Sequence, residues 1–314
     1  MRFIETLREG ERISGIYFCK YKTIAVAKNG KEYGSVVLQD KTGTLDGKIW
    51  DLNSAGIREF DTMDYVDIKG DVTVFNGSLQ LNIKEARKAD DGTYVESDYM
   101  PTSERDIEEM YTELKAIVDS IKEPHLAALT RKFFIEDTKF ISEFKRHSAA
   151  KRVHHGFVGG LLEHTLGVTK LCVTLADSYP YLNRDLLVTA AVFHDVGKVY
   201  ELSSFPENDY TDDGQLLGHI VMGCEIIGKA VSEIDGFPPV LERELKHCVL
   251  AHHGEFEYGS PKKPALIEAL ALHYADDLDA KLETFKEALD SPAAQNGDWL
   301  GFNKMLDSNI RKTL

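Results

Sequence analysis

Two rhythms of apolar and polar residues divide the chain. Over residues 11–88 they alternate with a period of two in short runs bounded by turn residues, which predicts β-strands. The runs fall at 13–19 with a continuation at 24–27, then at 33–39, 44–50, 65–75 and 79–83. Lys28-Asn29-Gly30-Lys31, Asp40-Lys41-Thr42-Gly43 and Asn76-Gly77 supply hairpin turns. A short helix is expected at 54–60. Residues 89–103 are polar, contain Gly92 and Pro101, and read as a linker. Beyond them the rhythm is helical. Ile107, Met110, Tyr111, Leu114, Ile117 and Val118 form one stripe behind a cap at Thr102 or Ser103. Further helices are predicted near 125–136, 138–146, 159–177, 184–196, 215–233, 239–252, 264–290 and 299–312.

Five strands with a short helix between the third and fourth is the order of an OB-fold barrel. The chain therefore reads as two domains of different class: an all-β OB-fold barrel over 1–88, the linker over 89–103, and an all-α domain over 104–314. The strand order and the turn LQDKTGTLDGKIWD resemble OB domains that bind single-stranded nucleic acid. Such barrels combine basic residues with aromatic platforms on which bases stack. The candidates here are Tyr33, Trp50 and Phe75 with Lys41, Lys48 and Lys84. Each could equally fill the barrel or sit on solvated surface.

Composition narrows the function classes. With 43% hydrophobic and 28% charged residues the chain is an ordinary globular protein. Its N-terminus, MRFIETLREGER, lacks an apolar signal region, and no stretch approaches the ~18 apolar residues of a membrane span. Cys19, Cys172, Cys224 and Cys248 share no CxxC spacing, so neither a zinc ribbon nor a disulfide framework is indicated. A cytoplasmic protein fits. The net charge is −15, of which −3 falls on residues 1–100 and −12 on the remainder. Such a chain does not attract polyanions at long range. Any nucleic acid must be held by local patches, stacking or metal ions.

The candidate chemistry centres on AAVFHDVGK at 190–198. Leu186, Leu187, Ala190, Ala191 and Phe193 form an apolar helix that ends in His194-Asp195, with Gly197 expected to stop it in a left-handed conformation. An imidazole and a carboxylate at that edge can flank a cation, and the two carboxylate oxygens can bridge two. Of eleven histidines, His154, His155, His164, His194, His219, His252 and His253 lie near predicted helix ends or beside glycines. Asp276 and Asp277 interrupt the apolar helix LIEALALHYADDLDA. One such group alone is a satisfied core residue more often than a ligand. Jointly they call for partners, because buried polar groups are costly unless paired, and a shared metal centre pairs all of them.

The series His164, His194-Asp195, Asp276 resembles the HD phosphohydrolase superfamily, over about 150–285. The resemblance implies an all-helical fold hydrolysing phosphoesters with divalent metals. An OB domain followed by HHGFVGGLLEHT, FHDVGK, LLGHI and AHHGEFEYGSP resembles the YhaM family of bacterial 3′-to-5′ exoribonucleases over nearly the whole chain. That likeness implies His164, His194, Asp195 and Asp276 at one metal, with Asp195 bridging to a second completed by His219, His252 and His253. Asp276 is preferred to Asp277. A donor set of imidazole and carboxylate suits Mn²⁺ first, with Fe²⁺, Co²⁺ or Zn²⁺ as alternatives. Lys198, His154 and His155 become candidates to hold a phosphate oxygen or protonate the leaving group. The expected substrate is single-stranded RNA, with single-stranded DNA a second candidate, no membrane partner, and room for a homo-oligomer. Hydrolysis of a small nucleotide or cyclic dinucleotide is the alternative. A non-catalytic nucleic-acid binder is disfavoured by the full ligand set.

Overall fold

The computed structural model describes residues 2–26, 30–151, 155–290 and 297–313. These divide into two compact units, Met1–Thr102 with Phe205–Glu207, and Ser103–Ser204 with Asn208–Leu314.

The first unit is a closed five-stranded barrel. Its strands are β1 (Arg12–Val26), β2 (Glu32–Asp40), β3 (Gly43–Ile49), β4 (Tyr65–Phe75) and β5 (Ser78–Lys88), in the order β1-β2-β3-β5-β4 with β4 closing on β1. Every pairing is antiparallel except β3 with β5. Alternation places Tyr17, Val36, Leu38, Ile49, Val66, Ile68 and Leu81 inside, all essentially inaccessible to water. The two-residue turn Asn76-Gly77 has φ of 50° and 82°, as a primed hairpin turn requires. At the β2–β3 turn the buried carboxylate of Asp40 accepts from the backbone N–H of Ile4 (2.7 Å) and Thr42 (2.8 Å). Lys28 and Asn29 of the first expected turn, and Ala27 of the preceding run, lie outside the described residues.

The short helix expected at 54–60 does not form. Those residues run alongside β5, with Arg58 N–H on the Ala86 carbonyl (2.8 Å) and Ala86 N–H on the Gly56 carbonyl (3.0 Å). A Cβ on Gly56 would lie 2.6 Å from the Lys84 carbonyl oxygen, so only glycine lets the segment lie this close. The stretch expected as a linker is ordered against the barrel for most of its length. Tyr94 stacks on Tyr65 at 3.8 Å, Tyr99 meets it edge-on at 5.0 Å, and Gln39 donates to the Tyr99 carbonyl (3.1 Å).

The second unit is helical: α1 (Ile107–Val118), α2 (Pro124–Arg131), α3 (Thr138–Arg146), α4 (Gly160–Ser178), α5 (Arg184–Phe193), α6 (Lys198–Glu201), α7 (Asp212–Leu216), α8 (His219–Ser232), α9 (Pro239–Leu250) and α10 (Ile267–Asp290). The cap of α1 is Asp106, which accepts from the N–H groups of Glu108 and Glu109, and not Thr102 or Ser103. One core runs through α1–α5 and α8–α10, with α4 and α5 buried on most sides. The helix expected at 299–312 is instead a hairpin of β6 (Trp299–Asn303) and β7 (Ser308–Arg311). Gly301 and Asp307 adopt positive φ, and Asn303 Oδ1 accepts from the N–H of Met305 and Leu306, which turns the chain where a helix would have continued.

Candidate metal centre

Four helix ends and one helix face build the centre. His164 projects from the first turns of α4, where the chain is buried on nearly all sides. Helix α5 ends at Phe193, so His194 and Asp195 occupy the tight turn into α6 rather than a last helical turn. Gly197 has φ of −64°, ordinary right-handed backbone, not the left-handed stop expected for it. Its role is proximity: a Cβ there would sit 2.0 Å from the carbonyl oxygen of His219. That close approach brings the start of α8, and His219 with it, against the His194-Asp195 turn. His252 and His253 follow the end of α9, and Asp276 comes from α10.

Asp195 is the hub. Its Oδ2 lies 3.4 Å from His164 Nε2 and 3.3 Å from His194 Nε2, while its Oδ1 lies 3.4 Å from His219 Nε2 and 3.7 Å from His252 Nε2. Asp276 Oδ1 approaches His164 Nε2 at 3.1 Å and His194 Nε2 at 3.8 Å. Among the described residues three ligand-sized groups occur, His155-His164-Asp279, His164-His194-Asp276 and His219-His252-His253, and the last two are those with one oxygen of Asp195 toward members of each. Asp277 is turned aside and pairs with Lys281 at 2.8 Å.

The far nitrogen of every ring is held. Nδ1 of His194 lies 2.7 Å from the Ala191 carbonyl, that of His252 2.7 Å from Val249, and that of His253 2.9 Å from Tyr258. Nδ1 of His164 faces Asp279 Oδ2 at 2.8 Å, and that of His219 faces Glu201 Oε1 at 3.1 Å. Carbonyl and carboxylate oxygens only accept, so each Nδ1 carries a hydrogen and each ring turns its Nε2 inward. His164 and His194 thus set two Nε2 atoms 3.2 Å apart. Among the described residues, His219 Nε2, His252 Nε2 and Asp195 Oδ1 are buried without a hydrogen-bond partner. Acceptors crowded on acceptors are satisfied by cations, and divalent metals take imidazole and carboxylate donors in this way. Such anchoring of the outer nitrogen is also what orients metal-binding histidines.

The electrostatics agree. Burial opposes the charge of Asp195, but Lys198 (2.7 Å) and the surrounding histidines hold its carboxyl well below the usual range. Burial likewise opposes ionisation of Asp276, and His164 and His194 overcome it. Burial would lower His164, yet hydrogen bonds to Asp195, Asp276 and Asp279 outweigh it and favour positive charge at that point. On the other side burial keeps His252 and His253 neutral, as ligands must be. The Asp195 carboxylate keeps the buried Lys198 charged against the effect of burial. A cavity of about 620 Å³ opens beside the cluster, lined by His155, Lys198, His253, Tyr258, His273 and Met305 among others.

Two carboxylates that hold the rings, Asp279 and Glu201, are absent from the sequence reading. Asp279 stands one turn beyond Asp276 on the same face of α10, so the spacing carried a signal. Burial resists its ionisation, but His155 and His164 bring its pKa down to about 2. Glu201, which also accepts from the His219 backbone N–H (3.0 Å), is marked by nothing but its charge. His155 lies in the cavity wall with Nε2 3.3 Å from Asp279 and its Nδ1 buried. His154 lies outside the described residues.

On the barrel, three of the six expected contacts come together. The rings of Tyr33 and Trp50 lie 5.0 Å apart, Lys48 Nζ is 5.8 Å from the Tyr33 ring, and Trp50 Nε1 donates to Asn82 (2.7 Å). Phe75 is exposed at the β4–β5 turn. Lys41 and Lys84 are engaged by Asp98 and Asp71.

The HD domain family matches residues 161–281, which contain every residue of the two histidine groups. A 3′-5′ exoribonuclease YhaM of Geobacillus sp. (strain WCH70) is 36% identical over 284 residues, covering 90% of this chain and 86% of its own length.

Proposed function

The chain belongs to the YhaM family of 3′-5′ exoribonucleases, and from that premise we propose that it shortens single-stranded RNA by hydrolysing the terminal phosphodiester and releasing a nucleoside 5′-monophosphate. Single-stranded DNA offers the same phosphodiester linkage and is the secondary substrate. The reaction depends on divalent metal, and the HD domain is where it is held. One ion would be held by His164, His194, Asp195 and Asp276, the other by Asp195, His219, His252 and His253. Two ions so held acidify a water to a nucleophile near neutral pH and offset charge on the phosphate, and Mn²⁺ heads the candidates.

The remaining steps belong to the protein's own groups. Asp195 sets the spacing of the two histidine groups because each of its oxygens serves one of them. Lys198 remains charged in the cavity wall and holds a non-bridging phosphate oxygen. Asp279 and Glu201 keep His164 and His219 from turning. His155 supports the Asp279 carboxylate and, in the cavity wall, stays a candidate proton donor to the leaving group. The barrel receives the strand through Tyr33, Lys48 and Trp50, by stacking and phosphate contact. The cytoplasm supplies such substrates, and no described helix is long and apolar enough to cross a membrane.

The observation that carries this reading is the set of inward Nε2 atoms around a doubly facing Asp195. The test is 5′-labelled single-stranded RNA incubated with Mn²⁺, joined to metal analysis of protein purified without chelator. A ladder receding from the 3′ end, with about two ions per chain, is expected. Internal cleavage, or turnover confined to small nucleotides, would overturn it.

A further inference from the structure

The face of α10 that turns away from the centre is apolar and open to water. Ile267, Leu270, Tyr274, Leu278, Leu282, Phe285 and Leu289 are each 38–61% exposed. They recur at intervals of three and four residues along the whole helix, Ile267–Asp290. Spacings of this kind average close to the turn of a straight helix, so the stripe stays on one side instead of winding around it. The other side is occupied: Glu268, Ala269, Leu272, Ala275 and Thr284 are buried, and Asp276 and Asp279 face the histidines. The seven side chains present on the order of 700 Å² of apolar surface, more than the ~300–600 Å² patch of an ordinary monomer and near the ~800 Å² that each partner buries in a standard interface.

We propose that this stripe is a homodimer interface in which α10 packs antiparallel against α10 of a second copy, about a two-fold axis at Leu278. A two-fold contact needs a surface complementary to itself, and the stripe is nearly palindromic. Tyr274 and Leu282 stand four residues either side of Leu278, and Ile267 and Leu289 stand eleven either side. Leu270 and Phe285 match to within one residue. Charge chooses the direction. Asp277 and Lys281 border the centre of the stripe. An antiparallel pair keeps this flank of both copies on one side of the contact, brings Asp277 toward Lys281 of the other copy and opposes the helix dipoles favourably. Nucleic acid does not fit this face. The two lysines of the helix are already paired, Lys281 with Asp277 and Lys286 with Glu283, and the surrounding unit is acidic. The same helix carries Asp276 and Asp279, so its pairing would brace the wall of the metal centre from behind.

The test is the mass of the full chain in solution, by light scattering or sedimentation at micromolar concentration, with no RNA or metal required. The wild type should be a dimer or a multiple of one. Leu278→Glu sets two carboxylates on the axis and should weaken association roughly 100-fold or more, halving the mass. Cysteine pairs then test the geometry without disturbing it. Under mild oxidation Leu278→Cys should cross-link to itself. Ile267→Cys should not, while Ile267→Cys combined with Leu289→Cys should. A monomeric wild type, an oligomer that withstands Leu278→Glu, or self-linking of Ile267→Cys would each overturn the proposal.

Discussion

The helical unit and the barrel hold their functional side chains in opposite ways. Around Asp195 the histidines are largely buried, and an outer carbonyl or carboxylate holds the Nδ1 of each of five rings. On the barrel, Trp50 is about half exposed, and Tyr33 and Lys48 touch it or each other through single contacts. Chemistry at a phosphate needs groups held to fractions of an ångström in a dry site, and burial with the outer side of each ring anchored achieves that. Gripping a flexible strand of any sequence needs faces, which every base can stack upon. One region should therefore fail abruptly when altered and the other by degrees.

The sharpest break should come from Asp195→Ala. Removing the group that faces both histidine clusters should lower turnover by about 10³-fold or more, since several kcal/mol of charge stabilisation are at stake. Metal content should fall, while circular dichroism stays helical. Its counterpart needs no substrate: added Mn²⁺ should raise the Tm of chelator-treated wild type, by linkage, and leave Asp195→Ala unmoved. An equal rise in both would separate the ion from this aspartate.

A smaller loss should follow from Asp279→Asn, which keeps the shape but weakens the hold on His164. Outer partners of metal-binding histidines typically contribute ~10–100-fold, in affinity or activity. Gly167→Ala reaches the same carboxylate from the other side, because its Cβ would lie 2.1 Å from Asp279 Oδ1. The two variants should resemble each other in metal affinity, and a silent Gly167→Ala would show that Asp279 is free to move.

The barrel should respond more gently and only to long substrates. Trp50→Ala or Tyr33→Ala should weaken binding of an RNA of about twenty nucleotides by roughly 1–3 kcal/mol each, with hydrolysis of a dinucleotide unchanged. Loss on the dinucleotide as well would erase the division of labour. The smallest effects should be those of Lys41→Ala and Lys84→Ala. Both cations are exposed and already paired, and such pairs contribute ~0–1 kcal/mol. Salt titration of RNA binding should show nearly the same slope for both variants as for the wild type.

Much of this was determined by the sequence alone, and where it failed the reasons are physical. Period-two alternation and the Asn76-Gly77 turn identified the barrel, because strand faces and primed turns depend on a few adjacent residues. The longer helices between 107 and 290 followed from their stripes for the same reason, whereas α6 and the break between α7 and α8 did not. That His164, His194, Asp195, His219, His252, His253 and Asp276 gather at one place was legible, because polar residues on or beside apolar helices need partners. Local pattern misjudged residues 54–60 and 299–312, where a backbone bridge to Ala86 and an Asn303 side-chain turn outcompeted weak helical propensity. Gly197 was recognised, but for a left-handed angle that it does not adopt. The two-sided role of Asp195 was expected from its two oxygens, but only the tertiary structure decided that Gly197 admits the His219 backbone and that Asp279 and Glu201 fix the outer nitrogens. Those facts are distances between segments far apart in the chain, set by how α4, α5, α8, α9 and α10 pack, and no residue's neighbours in sequence encode them.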